Sequence, residues 1–162
     1  MTVIDGHNLY FALDRVDDDD FEGGLEKLID DLRVHLRRGR YLLVLDGTGG
    51  GDPRGHEKNL NEHLRLIYSG ASMSADDWIQ RWSLRMSLPQ WELVTADVRL
   101  YDSIRTKGLK RLEPVAWYRG ICRKSKQTQQ DASPRSRREN FLQGGKKKFG
   151  STDEWLDYFN ES

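Results

Sequence analysis

Four acidic positions in this 162-residue chain close short apolar runs or open helices: Asp5, Asp46, the pair Asp76-Asp77, and Asp97. The first lies in Val3-Ile4-Asp5-Gly6-His7-Asn8, with an asparagine three residues after the acid. A buried strand that stops on an aspartate delivers its carboxylate to the carboxyl edge of the sheet, where open α/β folds place their sites. Carboxylates gathered there repel one another and raise each other's pKa unless a cation compensates. Mg²⁺ or Mn²⁺ suits carboxylate and water oxygens. Such an ion activates a water and neutralises the charge that develops as a phosphodiester breaks, so hydrolysis needs no protein nucleophile.

Each acid also has a purely structural use. Asp76 and Asp77 suit the first turn of a helix through its macrodipole. Asp46 suits an Asx turn ahead of glycines, and Asp5 could simply end a strand. Their joint recurrence selects Asp5, Asp76 and Asp97 as the acids that hold a metal, and leaves Asp46 open between ligand and turn residue. Asp14, Asp17 to Asp20, Asp30 and Asp31 are expected to face solvent.

The elements that must carry these acids alternate between strand and helix. Val3-Ile4 marks a first strand. Leu25, Leu28, Ile29, Leu32 and Leu36 recur at helical spacing, with Arg37, Arg38 and Arg40 at the end and Gly39 as cap. Tyr41 to Leu45 is a continuous apolar run, the mark of a strand buried on both faces, and Gly47 to Pro53 follows as a loop. Leu64 to Tyr68 reads as a third strand. Ser74 caps a helix with Trp78, Ile79, Trp82 and Met86 inward, which Pro89 stops. Trp91 to Thr95 is a fourth strand, ending at Asp97. A short helix with Val98, Tyr101 and Ile104 runs to Gly108. A weaker strand at Leu112 and a helix over Val115 to Ile121 close the series. This alternation implies an α/β fold with a parallel sheet and crossover helices on both sides.

Hydrophobic residues make up 36% of the chain and charged residues 32%, and no run nears the eighteen or so apolar residues of a membrane span. No basic-then-apolar leader opens it, and Cys122, the one cysteine, excludes an internal disulfide. No Cys/His cluster has zinc spacing. A cytoplasmic protein that makes no use of membranes is expected. The zero net charge conceals an asymmetry: residues 1–120 carry 17 Lys/Arg against 20 Asp/Glu, 121–150 carry 9 against 2, and 151–162 carry none against 4. The chain therefore divides into a body over 1–121, a basic linker or nucleic-acid-contacting segment over 122–150, and a short acidic, aromatic helix over 151–162.

Asp5-Gly6-His7-Asn8, Val44-Leu45-Asp46, Ser74-Ala75-Asp76-Asp77-Trp78-Ile79 and Val94-Thr95-Ala96-Asp97, in that order, resemble the NYN-domain ribonucleases, and among them the YacP-like family. The likeness covers roughly residues 2–121. It implies a PIN-like three-layer α/β/α sandwich with a mostly parallel sheet. It further implies a metal-dependent endoribonuclease acting on single-stranded RNA, some members acting on messenger RNA at the ribosome. Asp5, Asp76, Asp77 and Asp97 would hold the metal, and Asn8 would support the first acid. Two positions depart from the pattern. His7 stands where the family often has tyrosine. Tyr101 stands where a further acid often lies, with Asp102 one residue beyond.

Gly47 to Gly55 lacks the Gly-Lys-Ser/Thr of a nucleotide P-loop. It reads as a loop beside the site, with Arg54, His56 and Lys58 as candidate RNA contacts. Arg123, Lys124 and the cluster Lys146-Lys147-Lys148 are the phosphate-contact candidates of the basic segment, against a plain reading as solvated linker. Trp117-Tyr118-Arg119 suits either packing or stacking on bases. His35 is expected at the surface. A rival reading is an RNA- or ribosome-binding adaptor with little catalysis, which Tyr101 favours. A phosphatase or phosphoacceptor domain is disfavoured, because Asp5-Gly6-His7 is not the Asp-x-Asp such enzymes use. Oligomeric state is left open.

Overall fold

Thr2–Asp5 forms β1, buried along its whole length as the Val3-Ile4 pair requires. The computed structural model describes residues 1–13, 21–86, 90–104 and 108–131. After β1 come α1 (Gly6–Ala12), α2 (Phe21–His35), β2 (Tyr41–Leu45), β3 (His56–Asn59) and β4 (Leu64–Tyr68). Then follow α3 (Ala75–Arg85), β5 (Trp91–Val94), α4 (Val98–Ser103), β6 (Leu109–Leu112) and α5 (Pro114–Asp131).

The six strands lie in the order β3-β4-β2-β1-β5-β6, all parallel except β3, which pairs antiparallel with β4. In register, Ile4 sits between Leu43 of β2 and Val94 of β5. The chain moves outward from β1 to β2 and β4, then returns across the sheet through α3 to β5. The order therefore reverses beside β1, and crevices for ligands open at such reversals.

Alternate side chains feed two cores, one on each face of the sheet. Ile4, Leu43, Leu45 and Val94 pack with Leu9 and Tyr10 of α1, Leu28 and Leu32 of α2, and Ile121 of α5. Val3, Val44 and Leu93 pack with Ile79 and Trp82 of α3 and Leu100 of α4. The expected three-layer α/β/α architecture is the one observed.

Several local expectations change. Gly6–Ala12 is helical although no periodicity marked it, because Asp5 caps it. His56–Asn59 is an edge strand instead of loop, which shifts the expected third and fourth strands to β4 and β5. The first long helix stops at His35, ahead of its arginines, and Gly39 follows at φ 94° in the connection. Met86 is an exposed C-cap and Val98 is exposed, so neither lies on an inner face. The last helix runs ten residues past Ile121 to Asp131, because Lys, Arg and Gln are good helix formers even without apolar periodicity. Asp31, expected to face solvent, accepts a hydrogen bond from Tyr118 Oη at 3.1 Å. Pro89, Asp14, Asp17 to Asp20, and the segment over 132–162 with Lys146 to Lys148 and Trp155 to Phe159 lie outside the described residues.

Residues Met1–Arg123 form one compact unit and Lys124–Ser162 a second. In the second unit the described part is the end of α5. Among the described residues no helix is long and apolar enough to cross a membrane.

Candidate active site

β1 hands its last side chain to the sheet's carboxyl edge, and that side chain is Asp5, only 5% exposed. Asp5 Oδ1 accepts the Asn8 N–H at 3.2 Å and so caps α1. Asp5 Oδ2 accepts the Thr95 hydroxyl at 3.2 Å. The fully buried Thr95 in turn accepts the Asp97 N–H at 3.0 Å. Asp97 caps α4, its Oδ1 accepting from Arg99 N–H at 2.7 Å and Leu100 N–H at 3.0 Å. A chain of hydrogen bonds thus joins Asp5 to Asp97 across the β1–β5 seam.

The two residues after Gly6 reach out on opposite sides. Asn8 Oδ1 accepts the Ala96 N–H at 2.6 Å, tying α1 to the turn that carries Asp97. His7 Nδ1 lies 3.0 Å from Asp46 Oδ2 and 3.2 Å from the Asp46 N–H. The imidazole donates to the carboxylate or accepts from the amide according to which nitrogen carries its proton. Asp46 Oδ1 accepts the Ala75 N–H at 2.6 Å, the first amide of α3 and the one before Asp76. Ser74 caps the same helix, its hydroxyl accepting from Asp77 N–H at 3.1 Å. The first turn of α1 therefore fixes the positions of Asp76 and Asp97 together.

The electrostatics agree with this gathering. Burial raises the Asp5 carboxyl to about 6, and the negative charges of Asp76 and Asp46 push it the same way, against the lowering hydrogen bonds from Asn8 and Thr95. Asp76, half-buried, is raised by burial and then by Asp97, Asp46 and Asp77. Carboxylates that raise one another in a partly dry corner offer hard oxygen donors with unbalanced negative charge, which fits a divalent cation. Among the described residues no three His, Cys, Asp or Glu side chains are grouped closely enough to hold a metal directly. Mg²⁺ is commonly held through one or two carboxylates with several retained waters, a mode that does not require three grouped side chains.

The structure therefore brings together Asp5, Asp76, Asp97 and Asp46, with Asp77 exposed at the start of α3 and Asn8 as a brace. Among the described residues, the loop candidates make no hydrogen bond or ion pair with these acids. Arg54 is bound to Asp52, Nη2 to Oδ2 at 3.0 Å. Lys58 is exposed on β3, separated from β1 by β4 and β2. His56 stacks on Tyr68 at 4.9 Å. Arg123 and Lys124 are exposed on α5. His35 is half-buried, not a plain surface residue, and its Nδ1 is buried without a hydrogen bond. Sequence reasoning missed two groups at the corner, the Thr95 bridge and Arg111, whose Nη1 donates to Ala96 O at 3.5 Å. The only signal for Thr95 was its place two residues before Asp97.

A family model described as YacP-like NYN domain matches residues 2–152. No curated protein matches the chain. The crystal structure of Rae1 (YacP) from Bacillus subtilis is similar with a TM-score of 0.61 at 17% identity, covering 99% of this chain and 92% of that one. Its W164L mutant is similar with a TM-score of 0.57 at 18% identity, covering 90% and 84%. These likenesses show a shared fold, the PIN-like sandwich described above.

Proposed function

The chain belongs to the YacP-like NYN domain family, and from that premise we propose that it is a metal-dependent endoribonuclease. Its substrate would be single-stranded RNA cut internally, with messenger RNA on the ribosome as one setting. Family and fold support a ribonuclease. The observation that carries the finer reading is Asp5, buried at the strand-order reversal and raised to about 6 by burial and by its acidic neighbours.

Mg²⁺ or Mn²⁺ would be held among Asp5, Asp76 and Asp97, one or two of these carboxylates touching the ion and the rest reaching it through retained waters, with Asp77 assisting. When bound, the ion supplies an activated water and offsets the charge developing on the phosphate. The protein's own part is placement. Thr95 and Asn8 hold Asp5, the α4 cap holds Asp97, and Asp46 links His7 to the start of α3. Asp46 Oδ1 accepts the Ala75 N–H and Oδ2 lies against His7 Nδ1, which suits it to positioning Asp76 more than to ligation. Arg123, Lys124 and Lys146 to Lys148 would draw the phosphate backbone by releasing its counterions.

Asp97→Asn tests this reading. Asparagine is as good an N-cap as aspartate, so the fold and RNA binding persist while the charge goes. Cleavage of a labelled single-stranded RNA should fall about a hundredfold or more, since metal-borne charge stabilisation is worth several kcal/mol and each ~1.36 kcal/mol is tenfold in rate. Undiminished cleavage by this variant, or by wild type in excess EDTA, would overturn the mechanism. Firm RNA binding with no metal-dependent turnover by wild type would establish the adaptor reading, which Tyr101 in place of a further acid favours.

A further inference from the structure

Phe11 and Phe21 are 54% and 39% exposed, whereas Leu9 and Tyr10 next to Phe11 are buried. The two exposed rings are nonetheless ordered against their neighbours. Phe21 lies nearly parallel to Phe11 (centroids 5.7 Å apart, planes at 17°) and to His7 (5.6 Å, 11°). Tyr10, 1% exposed, meets both edge-on, Phe21 at 5.1 Å and Phe11 at 5.6 Å. Edge-to-face contact with a buried ring fixes their orientation.

His7 and Phe11 are four residues apart on α1 and so share one side of it. Phe21, at the start of α2, lies against both. The three rings form a ladder that starts at His7, whose Nδ1 touches Asp46, and leads away from the acidic corner. With a rise of 1.5 Å per residue, Phe11 stands about 9 Å along α1 from Asp5, a separation of a nucleotide or two along an RNA strand. The other exposed large apolar residues described, Val34, Leu84, Met86 and Val98, lie on other parts of the chain and do not extend this strip. Two rings beside a polar corner match a single base in size and are too small for a stable protein interface.

We infer that Phe11, backed by Phe21, forms a stacking shelf for an unpaired base of the RNA strand, next to the phosphate engaged at the Asp5 corner. This rests on the ribonuclease reading for its ligand. Bases stack on aromatic side chains whatever their identity, because each has a π-face. A base in a duplex has its faces covered, so the shelf selects single strands without reading sequence. Trp117 and Tyr118, the stacking candidates read from sequence, are otherwise engaged. Trp117 packs near Tyr41 at 6.4 Å, and the Tyr118 hydroxyl donates to Asp31.

The test is binding of a fluorescein-labelled single-stranded oligoribonucleotide, read by anisotropy in EDTA so that nothing is cut. For Phe11→Ala and Phe21→Ala the Kd should rise about 5- to 150-fold, the range for losing one stacked base. Phe11→Leu should follow the alanine variant, and Phe11→Trp should bind like wild type. An abasic site moved along the strand should erase the difference between wild type and Phe11→Ala at one position. Should the alanine variants fail to fold, the leucine–tryptophan contrast still decides. Equal Kd for wild type and the leucine and tryptophan variants overturns the shelf and leaves the ribonuclease reading untouched. Absence of RNA binding by wild type also overturns it. Shelf-dependent binding without cleavage when Mn²⁺ is restored supports the shelf and overturns the nuclease alone.

Discussion

Asp5 holds its proton to about pH 6 in the folded chain, against 3.8 for an ordinary aspartate, chiefly because it is buried. Between those values the folded state binds more protons than the unfolded state. The stability tied to this group is therefore whole below about pH 4 and is lost as pH rises through about 6. In EDTA at pH 7.5, Asp5→Asn should be more stable than wild type by up to about 3 kcal/mol, because every tenfold change in proton affinity is worth ~1.36 kcal/mol. That advantage should vanish toward pH 4, as urea melts at the two pH values would measure. Mn²⁺ should raise the melting temperature of wild type and leave Asp5→Asn nearly unmoved; equal changes for both would remove Asp5 from the metal site. Asp46→Ala should act differently. It removes the acceptor for Ala75 N–H at the start of α3 and the partner of His7, a capping loss of about 1 kcal/mol. Because Asp46 positions Asp76, that variant should also need more Mn²⁺ for half-maximal cleavage.

At the scale of the element, α1 governs the site although it is only seven residues long. A Cβ on Gly6 would run into Leu45 Cδ2 and come within 3.0 Å of Val44 O. Gly6→Ala should therefore cost roughly 1–3 kcal/mol through overpacking, and cleavage should fall further than stability because His7 and Asn8 move with the turn. Thermal melts and initial rates on the same preparation would separate the two effects. β2 was readable as a continuous apolar run, β1, β4 and β5 as short apolar segments and β6 only weakly, and α3 was readable from Ser74 and its periodicity. By contrast, α1 is too short to display a period, and its signature is the cap at Asp5. β3, His-Glu-Lys-Asn, contains no apolar residue, since an edge strand exposed on its outer side needs none. The acids themselves could be listed from their positions at strand ends. Thr95 and His7 could not be tied to them, since contacts between β1, β2 and β5 depend on a strand order that local pattern does not encode.

Across the whole molecule, charge is divided by position: residues 121–150 carry 9 Lys/Arg against 2 Asp/Glu beside an acidic body. If that segment neutralises RNA phosphates, binding weakens steeply with salt. Replacing Lys146, Lys147 and Lys148 together by Gln should reduce the slope of log K against log salt by about 2, at roughly 0.7 per single-strand phosphate contact. An unchanged slope in a titration with labelled RNA would return those lysines to the role of solvated linker. The common direction of β1, β2, β4 and β5 has a similar reach, because it lets acids from opposite halves of the sequence arrive at one edge.

The hydrogen bond between Thr95 and Asp5 spans 90 residues of sequence, and that between Ala96 and Asn8 spans 88. Pairings this distant form slowly, after local structure. During synthesis a chain that has emerged only through α3 has its first acid and its α1 helix, but no seam to hold them in place. The corner is completed when β5 takes its place beside β1. On the ribonuclease reading, the order of translation itself then keeps a growing chain inert toward the message that encodes it.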